Sequence, residues 1–176
     1  HRAIGVGALG YHSYLQSKLI EFESMEAKML NTKIFSTIKE RTEEASRWLH
    51  EAKGYTSIRE GYANTTLMAI APTKSSSFIH GAVSMGIEPI KSNYFIKDLA
   101  KSKTVYKNPF LIKELDKYGI NDKETWDSIL KKDGSVQHLN FPTKTVFKSF
   151  IEISPKEIII QAASRQKYID QSQSLN

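Results

Sequence analysis

At 176 residues, 40% of them hydrophobic, the chain can make one domain of ordinary size with a buried core. It contains no cysteine, which excludes disulfides, thiolate metal sites and cysteine-based chemistry within it, and no apolar run reaches the roughly 18 residues of a membrane span. The net charge of +6 and pI near 9.3 favour polyanionic partners, yet the lysines are spread among Asp and Glu, the pattern of a solvated mixed surface.

The first predicted element is a turn. Gly5-Val6-Gly7-Ala8-Leu9-Gly10 spells G-x-G-x-x-G, but a dinucleotide-binding turn needs a full strand ahead of it, and only four residues precede these glycines. They are expected instead to let a strand-to-helix turn pack tightly. Residues 24–54 read as one long helix, with Ser24 as N-cap, Gly54 just past its end, and Leu30, Ile34, Ile38, Ala45, Leu49 and Ala52 on one face. Trp48 is expected to anchor the core or its boundary.

Residues 65–72 (TTLMAIAP) form a short apolar run stopped by proline, as a buried strand would be. Residues 75–86 have helical character and end at Gly86, giving the strand-then-helix order of an α/β fold. Residues 92–96 (SNYFI) suit another short strand. The last third reads as helical pieces. Pro109 opens one that stops at Gly119, and Asn121 or Asp122 caps the next, which stops at Gly134. The last starts at Pro155 behind an S-x-x-E capping box, Ser154 to Glu157. The chain closes on the polar run DQSQSLN, and no internal repeat stands out.

Chemistry is most concentrated at residues 71–77 (APTKSSS), between the apolar strand and the following helix. A helix N-terminus presents unpartnered N–H groups and a dipole that favours negative charge. With Thr73, Ser75, Ser76 and Ser77 as donors and Lys74 nearby, the junction can cradle a phosphate, although the Walker spacing is absent. An N-cap that serves only the helix is an equal alternative. Five histidines (His1, His12, His50, His80, His138) show no metal-ligand spacing and read as surface or satisfied core residues. Glu88, before Pro89, either points into a site or bonds loop N–H groups. No G-x-S-x-G elbow marks a nucleophile.

Six stretches, RAIGVGALG (2–10), AIAPTKSSS (69–77), GIEPIKSN (86–93), NPFL (108–111), GSVQHL (134–139) and YIDQSQSLN (168–176), occur in that order. Together they resemble the C-terminal part of the large subunit of class I ribonucleotide reductase. Residues 61–72 also resemble that family, with Tyr62 where a small aliphatic residue is usual. The resemblance spans essentially the whole chain, and the stretches look closest to large subunits of T-even-type phages and their relatives.

The resemblance implies a helix-rich α/β fold, with residues 1–176 a single incomplete segment of a ten-stranded barrel. It implies reduction of ribonucleoside diphosphates to deoxyribonucleotides for DNA synthesis, with Pro72, Thr73, Lys74, Ser75 and Ser76 holding the substrate phosphates and Ser77 supporting the helix turn. The family's thiyl and redox cysteines and its radical-relay tyrosines lie outside the matched region. This chain therefore carries no catalytic residue and no cofactor of its own. The implied partners are the diphosphate substrate, the remainder of the large subunit, a small subunit bearing the metal-dependent radical cofactor, and a second copy of the complete large subunit. Neither nucleic acid nor membrane is among them, and the expected location is the cytoplasm, that of the host if the source is viral. Lys74 stands where family members vary, and Ser164 where aspartate is common.

The competing expectation is a non-enzymatic basic helical module that binds nucleic acid or another polyanion; basic and aromatic residues are not interleaved along one face as that would require. A chain that opens on histidine rather than methionine reads as an incomplete piece or a split-gene product. Alone, part of a barrel would leave sheet edges and apolar surface exposed and is expected to aggregate or to be partly molten.

Overall fold

The computed structural model describes residues 2–99 and 102–175; His1 and Asn176, which belong to the histidine set and to the last sequence stretch, lie outside them. In chain order the helices and strands are α1 (Tyr11–Ser17), α2 (Met25–Lys53), α3 (Lys74–Ile79), β1 (Tyr94–Leu99), β2 (Ser102–Lys107), α4 (Pro109–Lys117), α5 (Lys123–Lys131) and α6 (Pro155–Gln166). Two 3-10 turns, Lys144–Phe147 and Phe150–Glu152, precede α6.

Capping chemistry sets most of the helix ends. The Ser24 side chain accepts from Ala27 N–H to start α2, and Gly54, at φ 66°, ends it. Asn108 caps α4 by accepting from Phe110 N–H, with Pro109 in the first turn. Asp122, not Asn121, caps α5 by accepting from Thr125 N–H; Asn121 instead accepts from the Trp126 indole at 2.6 Å. The box expected at Ser154 and Glu157 does not form, since Ser154 makes no side-chain cap and Glu157 pairs with Lys28 at 2.6 Å. The same S-x-x-E spelling is used five residues earlier. There the Glu152 carboxylate accepts from Ser149 N–H at 2.7 Å and from Ser149 Oγ at 2.9 Å.

The buried face of α2 is displaced from the expected one. Ala27, Asn31, Phe35 and Ser46 are buried, whereas Leu30, Ile34, Ile38 and Leu49 flank them and Ala45 and Ala52 are exposed. Counting only apolar residues turned the stripe, because two of the four inward positions are polar and satisfied. Asn31 Nδ2 donates to Ser164 Oγ at 2.7 Å, and Ser46 Oγ donates to Asn64 Oδ1 at 2.9 Å. Trp48 is 56% exposed and anchors nothing; the buried indole is Trp126.

Three apolar clusters organise the described residues. Leu111, Leu115, Trp126, Ile129 and Phe147 join α4 and α5 to the first 3-10 turn. Tyr11, Leu15, Phe22, Ile153 and Ile158 join α1 to α6. The third cluster, built on Phe35, Leu67, Met68, Ile70, Ile87 and Ile169, lies under the extended segments. Tyr62 is held between two cations. The Arg59 guanidinium lies 3.6 Å from its ring centre and Arg47 donates to its hydroxyl at 2.6 Å.

Residues 65–72 are extended, as expected, but are held by single bridges rather than a regular ladder. Val6 pairs in parallel with Met68, and Ile70 pairs in parallel with Gln173. Three extended segments thus run side by side with helices packed against them, an α/β arrangement. Among the described residues the one regular sheet is an antiparallel hairpin in which Tyr94 faces Lys107 and Phe95 faces Tyr106. Its first strand starts two residues later than expected, and β2 carries no apolar run that announces it. The predicted helix over 75–86 is only α3, because Gly81, Ala82 and Gly86 have φ of 83°, 57° and 50° and break it.

Candidate functional site: the loop before α3

Pro72–Ser76 crosses from the third cluster's strand into α3. Thr73 occupies the N-cap position with φ 49° and ψ 32°, and no side chain caps the helix. Its hydroxyl is used elsewhere: Thr73 Oγ1 accepts from Gly86 N–H at 2.8 Å, tying the loop to the 84–90 turn. Gly86 is required there, since a Cβ on it would stand 2.9 Å from the Ala71 carbonyl oxygen. Ser77 is buried and its Oγ donates to the Lys74 carbonyl at 2.9 Å, so it supports the turn. Lys74, Ser75 and Ser76 are exposed. The result is a first turn whose backbone donors have no side-chain partner, with an ammonium and two hydroxyls beside it, a composition suited to an anion.

The start of α1 offers the contrast. Gly10, at φ 79°, is its N-cap, and its N–H donates to the Ser84 carbonyl at 2.9 Å. Tyr11 N–H donates to the Gly86 carbonyl at 3.2 Å and Ser13 N–H to Ser84 Oγ at 3.1 Å. The donors a dinucleotide pyrophosphate would need are spent on the 84–86 turn. Gly5 and Gly7 serve packing instead: a Cβ on Gly7 would lie 2.3 Å from the Ala69 carbonyl oxygen, and one on Gly5 2.7 Å from Ala69 Cβ.

The strand that delivers the loop is fixed from both sides. Val6 N–H donates to the Leu67 carbonyl at 2.7 Å, and Ser174 N–H to the Ile70 carbonyl at 3.2 Å. Asp170 Oδ2 accepts from Leu67 N–H and Met68 N–H at 2.8 and 3.0 Å, and its other oxygen meets Lys39. Burial pushes the Asp170 carboxyl up, but Lys39 and the two amides outweigh it and hold it below the usual carboxylate range. Sequence reading missed Asp170 because DQSQSLN reads only as a polar run; a lone acid directly after the apolar Ile169 was the available signal.

The other candidates lie apart from the loop. Glu88 is buried and lines a largely apolar cavity of about 250 Å³ with Ser77, Phe78, Phe95 and Tyr106; none of Pro72–Ser76 borders it. His12 is fully buried, accepts from Ile90 N–H at Nδ1 (3.0 Å), and is pushed down to about 3 by burial, so it is neutral. His50 contacts the Tyr55 carbonyl and His138 contacts Ser128 Oγ. Among the described residues no three His, Cys, Asp or Glu group to hold a metal, and no helix is long and apolar enough to cross a membrane. Ser164 Oγ accepts from Asn31 and donates to the Gln161 carbonyl, a structural role.

Comparison with known proteins agrees along the whole chain. A family model described as "Ribonucleotide reductase, barrel domain" matches residues 1–59 and 55–176, the two matches meeting just after α2. The chain is 43% identical over 182 residues to the ribonucleoside-diphosphate reductase large subunit of Invertebrate iridescent virus 3, covering 98% of this chain and 29% of that protein. It is 32% identical over 213 residues to the ribonucleoside-diphosphate reductase large chain 2 of Saccharomyces cerevisiae, covering all of this chain and 24% of that protein. The solved Actinobacillus ureae class Id ribonucleotide reductase alpha subunit superposes with a TM-score of 0.91 at 52% identity, over 100% of this chain and 33% of that one. The chain thus spans a quarter to a third of the length of these relatives. Along its whole length, from the opening extended segment to the last one, the chain belongs to the ribonucleotide reductase barrel domain family.

Proposed function

We propose that the chain is a segment of a ribonucleoside-diphosphate reductase large subunit, supplying barrel wall and the loop that holds the substrate's phosphates. The observation that carries this reading is the uncapped first turn of α3 beside Lys74. Thr73, the residue at the N-cap position, spends its hydroxyl on Gly86 N–H, so the first-turn amides keep no side-chain acceptor. Pro72 fixes the backbone entering the turn. The backbone amides of residues 73–76 and the Ser75 and Ser76 hydroxyls donate to phosphate oxygens, while Lys74 balances their charge.

The chain has no cysteine, so the radical chemistry falls to the remainder of the large subunit. The metal-dependent radical cofactor belongs, on this reading, to the small subunit. The complete large subunit acts as a homodimer in the cytoplasm, without direct contact to nucleic acid. Placement beside the large subunits of T-even-type phages rests on the motif stretches alone. The test is the full-length large subunit carrying Ser75→Ala and Ser76→Ala, assayed with its small subunit. The KM for ribonucleoside diphosphate should rise about tenfold or more, two charge-assisted hydrogen bonds being lost; an unchanged KM would overturn the phosphate role.

A further inference from the structure

Residues 170–174 carry little apolar surface, yet they are fastened along the strand that leads to Pro72–Ser76. Gln171 N–H donates to the Met68 carbonyl at 3.2 Å, and Ile70 N–H to the Ser172 carbonyl at 3.4 Å. Asp170 closes this zipper at its upstream end. Consecutive amides of an extended strand point to opposite edges, so a single carboxylate oxygen that accepts from both Leu67 and Met68 fixes a local bend there. Both residues are fully buried, and this carboxylate is the acceptor their amides use. Lys39 of α2 holds the second oxygen and is itself 3.6 Å from Glu43, which Arg59 meets at 2.9 Å. The carboxylate is therefore held from the helix side as well as the strand side.

We infer that Asp170 is a positioning residue for the phosphate-binding loop: by gripping Leu67 and Met68 it sets the direction from which Pro72–Ser76 meets the substrate. The inference rests on the diphosphate reading given above. Four residues of extended chain span roughly 13 Å, so a tilt of about 5° at Met68 moves the loop by about 1 Å. A misplacement of that size can cost up to about 100-fold in an active site.

Two fold-conserving variants of the full-length large subunit separate position from charge. Asp170→Glu keeps the charge for Lys39 but displaces the oxygen from the two amides; the KM for diphosphate should rise about tenfold with kcat within about threefold. Asp170→Asn keeps an oxygen in place and gives up the charge; its KM should stay within about twofold. Amide exchange at Leu67 and Met68 should quicken in Asp170→Glu and stay slow in Asp170→Asn. An unchanged KM in Asp170→Glu, or a larger rise in Asp170→Asn than in Asp170→Glu, would overturn the inference. The Ser75→Ala, Ser76→Ala protein is assayed alongside. If it raises KM and Asp170→Glu does not, positioning alone fails; if it leaves KM unchanged, the phosphate reading itself has failed.

Discussion

Gly7 passes so close to Ala69 that a methyl group on Gly7 would sit 2.3 Å from the Ala69 carbonyl oxygen. That oxygen belongs to backbone and cannot swing aside, and the extended segment carrying it leads to the loop before α3 three residues on. Gly7→Ala should therefore cost about 2–3 kcal/mol through overpacking. Gly54→Ala is the control. Nothing lies within 4 Å of its added Cβ, and the left-handed φ of 66° alone should cost about 1 kcal/mol. Thermal unfolding of the full-length protein should place Gly7→Ala clearly below Gly54→Ala; the reverse order would mean that strands 4–7 and 67–71 are not in this contact.

The opening glycines show what sequence could and could not say. That they pack a turn was legible, because only four residues precede them. Why Gly7 in particular is needed was not, since Ala69 is distant in sequence and only pairing brings it near. The loop before α3 was legible as a strand–helix junction rich in hydroxyls. Which hydroxyls were free was hidden, because Thr73 is claimed by Gly86 and Ser77 by Lys74. The boundaries of α2, α4 and α5 followed from local caps. The face of α2 did not, because Asn31 and Ser46 are buried by partners at sequence distances no periodicity reports. The Ser154 box failed for a similar reason, Glu157 being taken by Lys28.

Thr73 pairs a β-branched residue with a left-handed backbone, a conformation that costs about 1–2 kcal/mol in an L-residue. The hydrogen bond from buried Gly86 offsets that cost. Thr73→Val removes the acceptor and keeps the strain, and should destabilise by about 1–3 kcal/mol. Thr73→Asn suits the left-handed region and offers an oxygen, so it should stay within about 1 kcal/mol of the parent. Denaturant unfolding of both variants tests this, and equal losses would show that the Gly86 bond contributes nothing.

Arg165 is fully buried, and its acceptors are neutral amides: Nε donates to Gln173 Oε1 at 2.9 Å and Nη1 to Asn31 Oδ1 at 2.6 Å. The guanidinium also lies 5.5 Å from the Phe35 ring centre. Desolvation lowers it to about 10, with Tyr11 opposing, so it remains charged at neutral pH. Arg165→Ala takes a donor from the buried Asn31 oxygen and from the half-buried Gln173 oxygen and opens a cavity, and should cost about 3–5 kcal/mol. Arg165→Lys keeps the charge but cannot span both acceptors, and should recover less than half of that loss. A lysine variant as stable as the parent would show that charge, not the planar fork, is what the site uses.

Stability against pH should fall in two windows that overlap below about pH 4. His12 is the first. Its folded value is lowered to about 3 by burial, so between roughly pH 6.5 and 3 the unfolded chain binds a proton that the folded chain refuses. Stability therefore rises with pH through that window and is lost as pH falls, by at most about 1.4 kcal/mol per pH unit. The second window belongs to Glu23 and Asp170. Burial pushes both carboxyls up, but Lys148 and Ser154 N–H outweigh it at Glu23, and Lys39 with two amides at Asp170, so both end lowered. Their contribution is complete above the unfolded carboxylate value, about 4, and disappears as pH falls below it through the folded values. His12→Gln should flatten the upper window and leave the lower one. Glu23→Gln and Asp170→Asn should flatten the lower one and leave the upper. Unfolding midpoints measured from pH 7 to 3 on the three variants decide the assignment, and a His12→Gln curve parallel to the parent's between pH 6 and 4 would place the upper slope on some other group.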